Sequence, residues 1–161
     1  MATEIDTTDT ATDQLSLDRF LPYRLSVLTN LVSRTMAARY AERYNLTIPE
    51  WRVIAVIGRS PGLSAIEVAE RTQMDKVAVS RAVARLLKSG RLAREFTDTD
   101  KRRSMLSLTE TGTGVYADVA KLALDFEARL LDTLSDADKL ALDSVLARLW
   151  QRAQALAETH E

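Results

Sequence analysis

Between Leu17 and Met36 the apolar residues Leu17, Phe20, Leu21, Leu25, Leu28, Leu31, Val32 and Met36 fall mostly at steps of three and four, the spacing of one face of a long α-helix. Pro22 fits the first turn of such a helix, where a missing N–H costs nothing, and Asn45 supplies a stop. Thr47-Ile48-Pro49-Glu50 has the spacing of a capping box: the hydroxyl meets an orphan amide and the acid three positions on reaches back. A second helix is expected from there to about Ile57, broken by Gly58, Pro61 and Gly62. Ser64-Ala65-Ile66-Glu67 repeats the box ahead of a short third helix that ends near Thr72.

Asp75 can cap a fourth helix, with Val79, Ala82, Val83 and Leu86 facing inward and Lys76, Val77, Ser80, Arg81, Ala84, Arg85 and Lys88 facing out. Gly90 suits a left-handed stop. The period then changes. Leu92, Arg94 and Phe96 alternate with Ala93 and Glu95, and Ser104, Leu106 and Leu108 alternate with Met105 and Ser107, so two strands and a hairpin tip are expected between residues 92 and 108. Thr109 caps a fifth helix with Val115, Val119, Leu122, Phe126, Leu130 and Leu131 as its stripe. Ser135 opens a sixth, carrying Leu140, Leu142, Val145, Leu146, Leu149, Trp150 and Leu156.

These elements describe a mainly α chain: a winged helix-turn-helix with a two-stranded β wing, enclosed by N- and C-terminal dimerisation helices. The division expected is an acidic mobile tail over 1–15, an N-terminal dimerisation helix over 16–46, a winged helix-turn-helix over 47–109 and C-terminal dimerisation helices over 110–161. The tail, MATEIDTTDTATDQ at its start, holds almost nothing to bury. The end helices carry more apolar stripe than a small central module can cover, which makes pairing with a second copy the economical arrangement.

Charge changes the picture more than composition does. The chain has 161 residues and a formal net charge of -1, which by itself says nothing about a polyanion. Its distribution does. Residues 1–18 hold five acids and no base, residues 71–103 hold ten bases against four acids, and residues 110–161 hold five bases against ten acids. A basic middle between acidic ends is the footprint of a polyanion docking on one face. The chain has no cysteine, so disulfides, thiolate metal sites and cysteine-based peroxide sensing are excluded within it. No leader-like opening and no apolar run of membrane-spanning length is found, so a cytoplasmic protein is expected.

The fourth helix fits a major groove. Val77, Ala78 and Ser80 are small enough for close approach, while Lys76, Arg81 and Arg85 can reach base edges or phosphates; its N-terminal amides suit a phosphate. Scattered bases on a single helix are more often a solvated face, but this helix follows a short capped helix and precedes a basic hairpin. In that hairpin Lys101, Arg102 and Arg103 can lie along the DNA backbone or in the adjacent minor groove. Asp98 and Asp100 are expected to accept turn amides and orient those bases; charges that merely keep a hairpin tip soluble are the plainer alternative. Ser64, at the start of the third helix, completes the DNA-binding set.

The stretch "IPEWRVIAVI…LSAIEVAERTQMDKVAVSRAVARLLKSGRLAREFTDTDKRRSMLSLTETG" resembles the winged helix-turn-helix of MarR-type bacterial transcription regulators, and the likeness extends from about Leu17 to the C-terminus. It implies a homodimer that binds a pseudo-palindromic double-stranded operator, commonly as a repressor, and releases it when a small molecule binds between winged domain and dimerisation helices. By position, Lys76, Val77, Ser80 and Arg81 match the recognition-helix surface, Arg102 the wing arginine and Asp100 the acid before it. Arg103 departs from the small residue common at its position in relatives. With cysteine sensing excluded, the resemblance points to aromatic acids or their thioesters as effectors. Tyr23, Arg24, Tyr40, Tyr44 and Trp51 form a set able to stack on a ring and pair with an anion, although aromatics at helical spacing more often belong to a core.

Other classes find less support. His160 is the only histidine, and there is no glycine-rich phosphate loop or serine-nucleophile motif, so neither an enzyme, a cofactor nor a metal site is expected. A winged-helix protein-interaction module without direct operator recognition is the alternative, and the segregation of charge favours DNA over it.

Overall fold

The computed structural model describes residues 15–97 and 100–159, without the side chains of residues 97 and 100–103. Six helices and one hairpin follow in order: α1 (Leu21–Tyr44), α2 (Ile48–Arg59), α3 (Ala65–Thr72), α4 (Lys76–Lys88), β1 (Leu92–Thr97), β2 (Asp100–Leu108), α5 (Glu110–Leu130) and α6 (Asp136–Glu158). The expected tail falls almost wholly outside the described residues.

Local chemistry sets the helix ends. Thr47 with Glu50, Ser64 with Glu67 and Ser135 with Asp138 each close a capping box, satisfying amides that a helix leaves orphaned. Asp75 caps α4, its Oδ1 accepting the amides of Val77 at 2.9 Å and Ala78 at 3.1 Å. Asn45 ends α1 in the left-handed region at φ 46°. Two boundaries differ from the sequence reading. Leu17 and Phe20 precede α1, which starts at Leu21 with Pro22 in its first turn. Gly58 does not break α2 but lies within it, and the ring of Tyr116 packs close against it, 2.8 Å from where a Cβ would stand.

The core joins α1, α2, α3, α4, α5 and the hairpin. Tyr40, Val53, Ile54, Ile57, Val68, Val79, Val83, Leu86, Leu106 and Val119 are all essentially inaccessible to solvent. The strands pair antiparallel, Leu92 opposite Leu108 and Phe96 opposite Ser104, with an irregularity between Phe96 and Thr97. A bridge to the loop after α2 anchors the hairpin: the Leu106 amide donates to the Leu63 carbonyl and the Gly62 amide to the Leu106 carbonyl, both at 2.9 Å. Long helices flank this centre. α1 is tied to α5 where Arg39 donates to Asp125 and the Tyr44 hydroxyl to Asp118, each at 3.0 Å. The first ten residues of α1 and all of α6 except the half-buried Lys139 are exposed, leucines included.

Candidate nucleic-acid interface

The inner face of α4 is sealed by Val79, Ala82, Val83 and Leu86, and that burial decides what its other face presents. Lys76, Val77, Ser80, Arg81, Ala84, Arg85 and Lys88 are all exposed, Ala78 half-buried. Arg81, Arg85 and Lys88 thus stand at one-turn intervals, with Lys76 at the helix start, beside small residues, which allows a helix to approach a groove closely and still reach its edges. The N-terminal amides expected to suit a phosphate are instead engaged, since Asp75 takes those of Val77 and Ala78. That leaves Lys76 and the side-chain donors as the anion-facing groups of the first turn.

Ser64 is likewise committed. Its hydroxyl donates to Glu67 Oε2 at 2.7 Å and accepts the Glu67 amide at 3.3 Å, so what it does here is shape the start of α3. Arg85 has a partner within the protein: its Nε lies 3.4 Å from Oε1 of Glu50. The hairpin carries Arg94 and Glu95 exposed on β1, and Phe96 61% exposed. Lys101, Arg102 and Arg103 follow on β2, and with Asp98 and Asp100 their side chains lie outside the described residues.

A second site lies between α1, α2 and α5: a cavity of about 170 Å³ whose lining includes Ser33, Met36, Tyr40, Trp51, Arg52 and Phe126. Tyr40 and Trp51, both expected in a ligand site, meet there with ring centroids 6.0 Å apart. Tyr23, Arg24 and Tyr44 do not line it. Tyr23 and Arg24 are exposed at the opposite end of α1, about 25 Å along the axis at the rise of a helix, and Tyr44 is turned to Asp118. Arg52 was missed by the sequence reading and is the cation of this cavity; its Nη2 donates to Ser33 Oγ at 3.1 Å. Burial pushes the Tyr40 hydroxyl up to about 12, with Arg52 pulling the other way. Among the described residues there is no group of His, Cys, Asp and Glu able to hold a metal, and no helix is long and apolar enough to cross a membrane.

A helix-turn-helix whose second helix exposes a basic face, followed by a two-stranded wing, defines a DNA-binding winged helix. Residues 44–103 match the model of the MarR family. A structure of a MarR/EmrR family transcriptional regulator from Acinetobacter sp. ADP1 superposes with a TM-score of 0.81 at 26% identity, covering 88% of this chain and 99% of that one. The transcriptional regulator BilQ of Clostridium symbiosum is 28% identical over 102 residues, 63% of this chain and 71% of that protein. The homoprotocatechuate degradative operon repressor of Escherichia coli is 27% identical over 75 residues, 47% of this chain and about half (51%) of that protein's length. These likenesses support a MarR-type winged-helix transcription regulator, with the family model itself matching the central winged region.

Proposed function

We propose that this protein is a homodimeric repressor that binds a pseudo-palindromic operator and is released from it by a small aromatic acid. The observation that carries the reading is the outer face of α4, where Lys76, Ser80, Arg81 and Arg85 are exposed on a helix whose opposite face is fully buried. Arg81 reaches base edges; Lys76, Arg85 and the wing residues Lys101, Arg102 and Arg103 engage phosphates, with Asp98 and Asp100 orienting the wing.

Dimerisation is supported by the uncovered stripes of Leu21, Leu25, Leu28 and Leu31 on α1 and of Leu142, Val145, Leu146 and Leu149 on α6. A two-fold pair would set two α4 helices against half-sites one turn of DNA apart. The effector reading is supported by the cavity. At about 170 Å³ it is close to the size at which an apolar protein cavity takes up a single benzene ring, and Arg52 supplies a cation for a carboxylate. A free monocyclic acid fits that volume better than a thioester. The homoprotocatechuate relative represses an operon for breaking down an aromatic compound, which agrees with this class.

The test is a fluorescence titration onto the protein's own upstream DNA and a scrambled duplex at two salt concentrations. Preferential binding that weakens with salt, by a log-log slope of about -0.9 per phosphate neutralised, supports the reading. Salt-insensitive or absent DNA binding would instead favour a winged module that binds a protein.

A further inference from the structure

The capping box that starts α2 uses one of the two carboxylate oxygens of Glu50. Oε2 accepts the Thr47 amide at 2.7 Å and the Thr47 hydroxyl at 2.6 Å, while Oε1 faces Arg85 Nε at 3.4 Å. Glu50 is 4% exposed and is the one buried charged residue among those described. The Arg85 side chain opposite it is 64% exposed. A pair of two mobile surface charges contributes little, but here the acid is immobilised by the cap and by burial. The guanidinium approaches it through Nε, and with its side chain mostly exposed it can offer further donors to another acceptor. Arg81 and Arg85 also line an open groove with Thr47 and Pro49, so the pair sits where the first turn of α2 meets the exposed face of α4.

We propose that Glu50 is a positioning residue of the DNA interface: it holds the Arg85 guanidinium in the pose that contacts a phosphate of the bound duplex. The inference rests on the DNA-binding reading above. It also opposes simple charge arithmetic. Removing an acid next to a bound polyanion relieves repulsion, and on that ground alone binding would tighten. An acid that aims an arginine has the reverse effect when removed, because the freed side chain must give up its rotamer freedom on binding.

Glu50→Gln separates the two, since glutamine still closes a capping box while the charge facing Arg85 is gone. The parent, Glu50→Gln, Arg85→Met and the double variant are titrated onto a random-sequence duplex through a salt series. Glu50→Gln is expected to weaken binding by roughly two- to tenfold, the cost of ordering one long side chain. Arg85→Met is expected to flatten the log-log salt slope by about 0.9, one phosphate. The double variant should bind no more weakly than Arg85→Met alone, which a merely structural role of Glu50 would not produce. Arg85→Lys leaves the cap untouched, but a compact ammonium lacks the fork that faces the acid through one edge and a phosphate through another, so it too should fall short of the parent.

Glu50→Gln binding as tightly as the parent or more tightly overturns the proposal. So does a full additional loss in the double variant, or parental affinity in Arg85→Lys. A parent protein without salt-dependent binding removes the DNA-binding reading itself, and the inference falls with it.

Discussion

Gly112, in the first turn of α5, lies so close to the backbone of Arg91 that a Cβ in its place would stand 2.0 Å from the Arg91 carbonyl oxygen. The same carbonyl accepts the Thr109 amide at 3.1 Å, and the Arg91 guanidinium donates to the Tyr44 carbonyl at the end of α1. One residue between α4 and β1 therefore joins the base of the wing to both flanking helices. The closeness of α5 to that backbone is what glycine permits there.

Two alanine substitutions two positions apart should consequently have opposite signs. Gly112→Ala forces backbone to move and should destabilise by about 1–3 kcal/mol or more. Gly114→Ala, where nothing lies within 4 Å of the added carbon, should stabilise by roughly 0.5–1 kcal/mol, the helix preference of alanine over glycine. Urea midpoints of the two variants decide it, and a Gly112→Ala midpoint at or above the parent's would contradict the close approach.

What was legible in the sequence is what short-range chemistry governs. The capping boxes of Thr47, Ser64 and Ser135 span four residues each, and the inward set Val79, Ala82, Val83 and Leu86 follows from one helix period, so each could be read from its own neighbourhood. Gly58 could not, because the ring packed against it, Tyr116, comes from far along the chain. The cavity failed for the same cause. Tyr23, Arg24 and Tyr40 share a helix and an aromatic or cationic character, yet only the packing of α1 on α2 and α5 decides which end meets Trp51. Arg52 carried no such local signal either: consecutive helical residues point about 100° apart, so its place beside Trp51 in the chain does not by itself put both on one face. The pairing of Glu50 with Arg85 likewise joins two helices whose approach no local pattern specifies.

Tyr40 gives a pH signature. Its folded-state value, about 12, lies above the unfolded value of about 10, so burial favours the neutral hydroxyl. The stabilisation is fully present below the unfolded value and is lost as pH rises through the folded one. Stability should fall between those two values, with a tyrosinate absorbance component titrating near the upper one. Tyr40→Phe should abolish that component; its persistence in the variant would assign it to another tyrosine.

Leu146 on α6 is 47% exposed in the single chain. Were the protein a monomer, Leu146→Asp would be a surface change worth less than about 0.5 kcal/mol. In the proposed dimer it buries a charge in an apolar seam, so the variant should sediment as a monomer at concentrations where the parent is a dimer. The winged core, whose buried residues lie elsewhere, should keep its far-ultraviolet dichroism. An unchanged sedimentation profile would place the dimer seam away from this face of α6.

Arg81 and Arg102 should fail differently. If Arg81 makes a bidentate base contact, Arg81→Ala lowers the ratio of operator to random-duplex affinity by about 1–3 kcal/mol. A backbone contact by Arg102 carries little sequence information, so Arg102→Ala should weaken both duplexes by similar factors. Competition titrations with both duplexes read the ratio directly. Equal losses for Arg81→Ala would move that residue to the phosphate-contacting set, and a loss confined to operator would do the reverse for Arg102.

The effector proposal turns on Arg52, the one charged side chain lining the cavity between α1, α2 and α5. Arg52→Met keeps an unbranched chain of similar reach and removes the charge, so the ring-binding surface of Tyr40, Trp51 and Phe126 should persist. A hydrogen bond to a charged group contributes about 1.5–3 kcal/mol, which sets the expected loss for 4-hydroxybenzoate at roughly one to two orders of magnitude. The neutral 4-hydroxybenzamide, with the same ring and no anion, should bind parent and variant nearly alike. Calorimetric titration of both compounds into both proteins tests this, with the carboxylate also expected to displace parent protein from DNA. If the acid and the amide lose equally, Arg52 supports the cavity wall and pairs with no carboxylate; if neither compound binds the parent, the cavity is core and the monocyclic-acid reading is wrong.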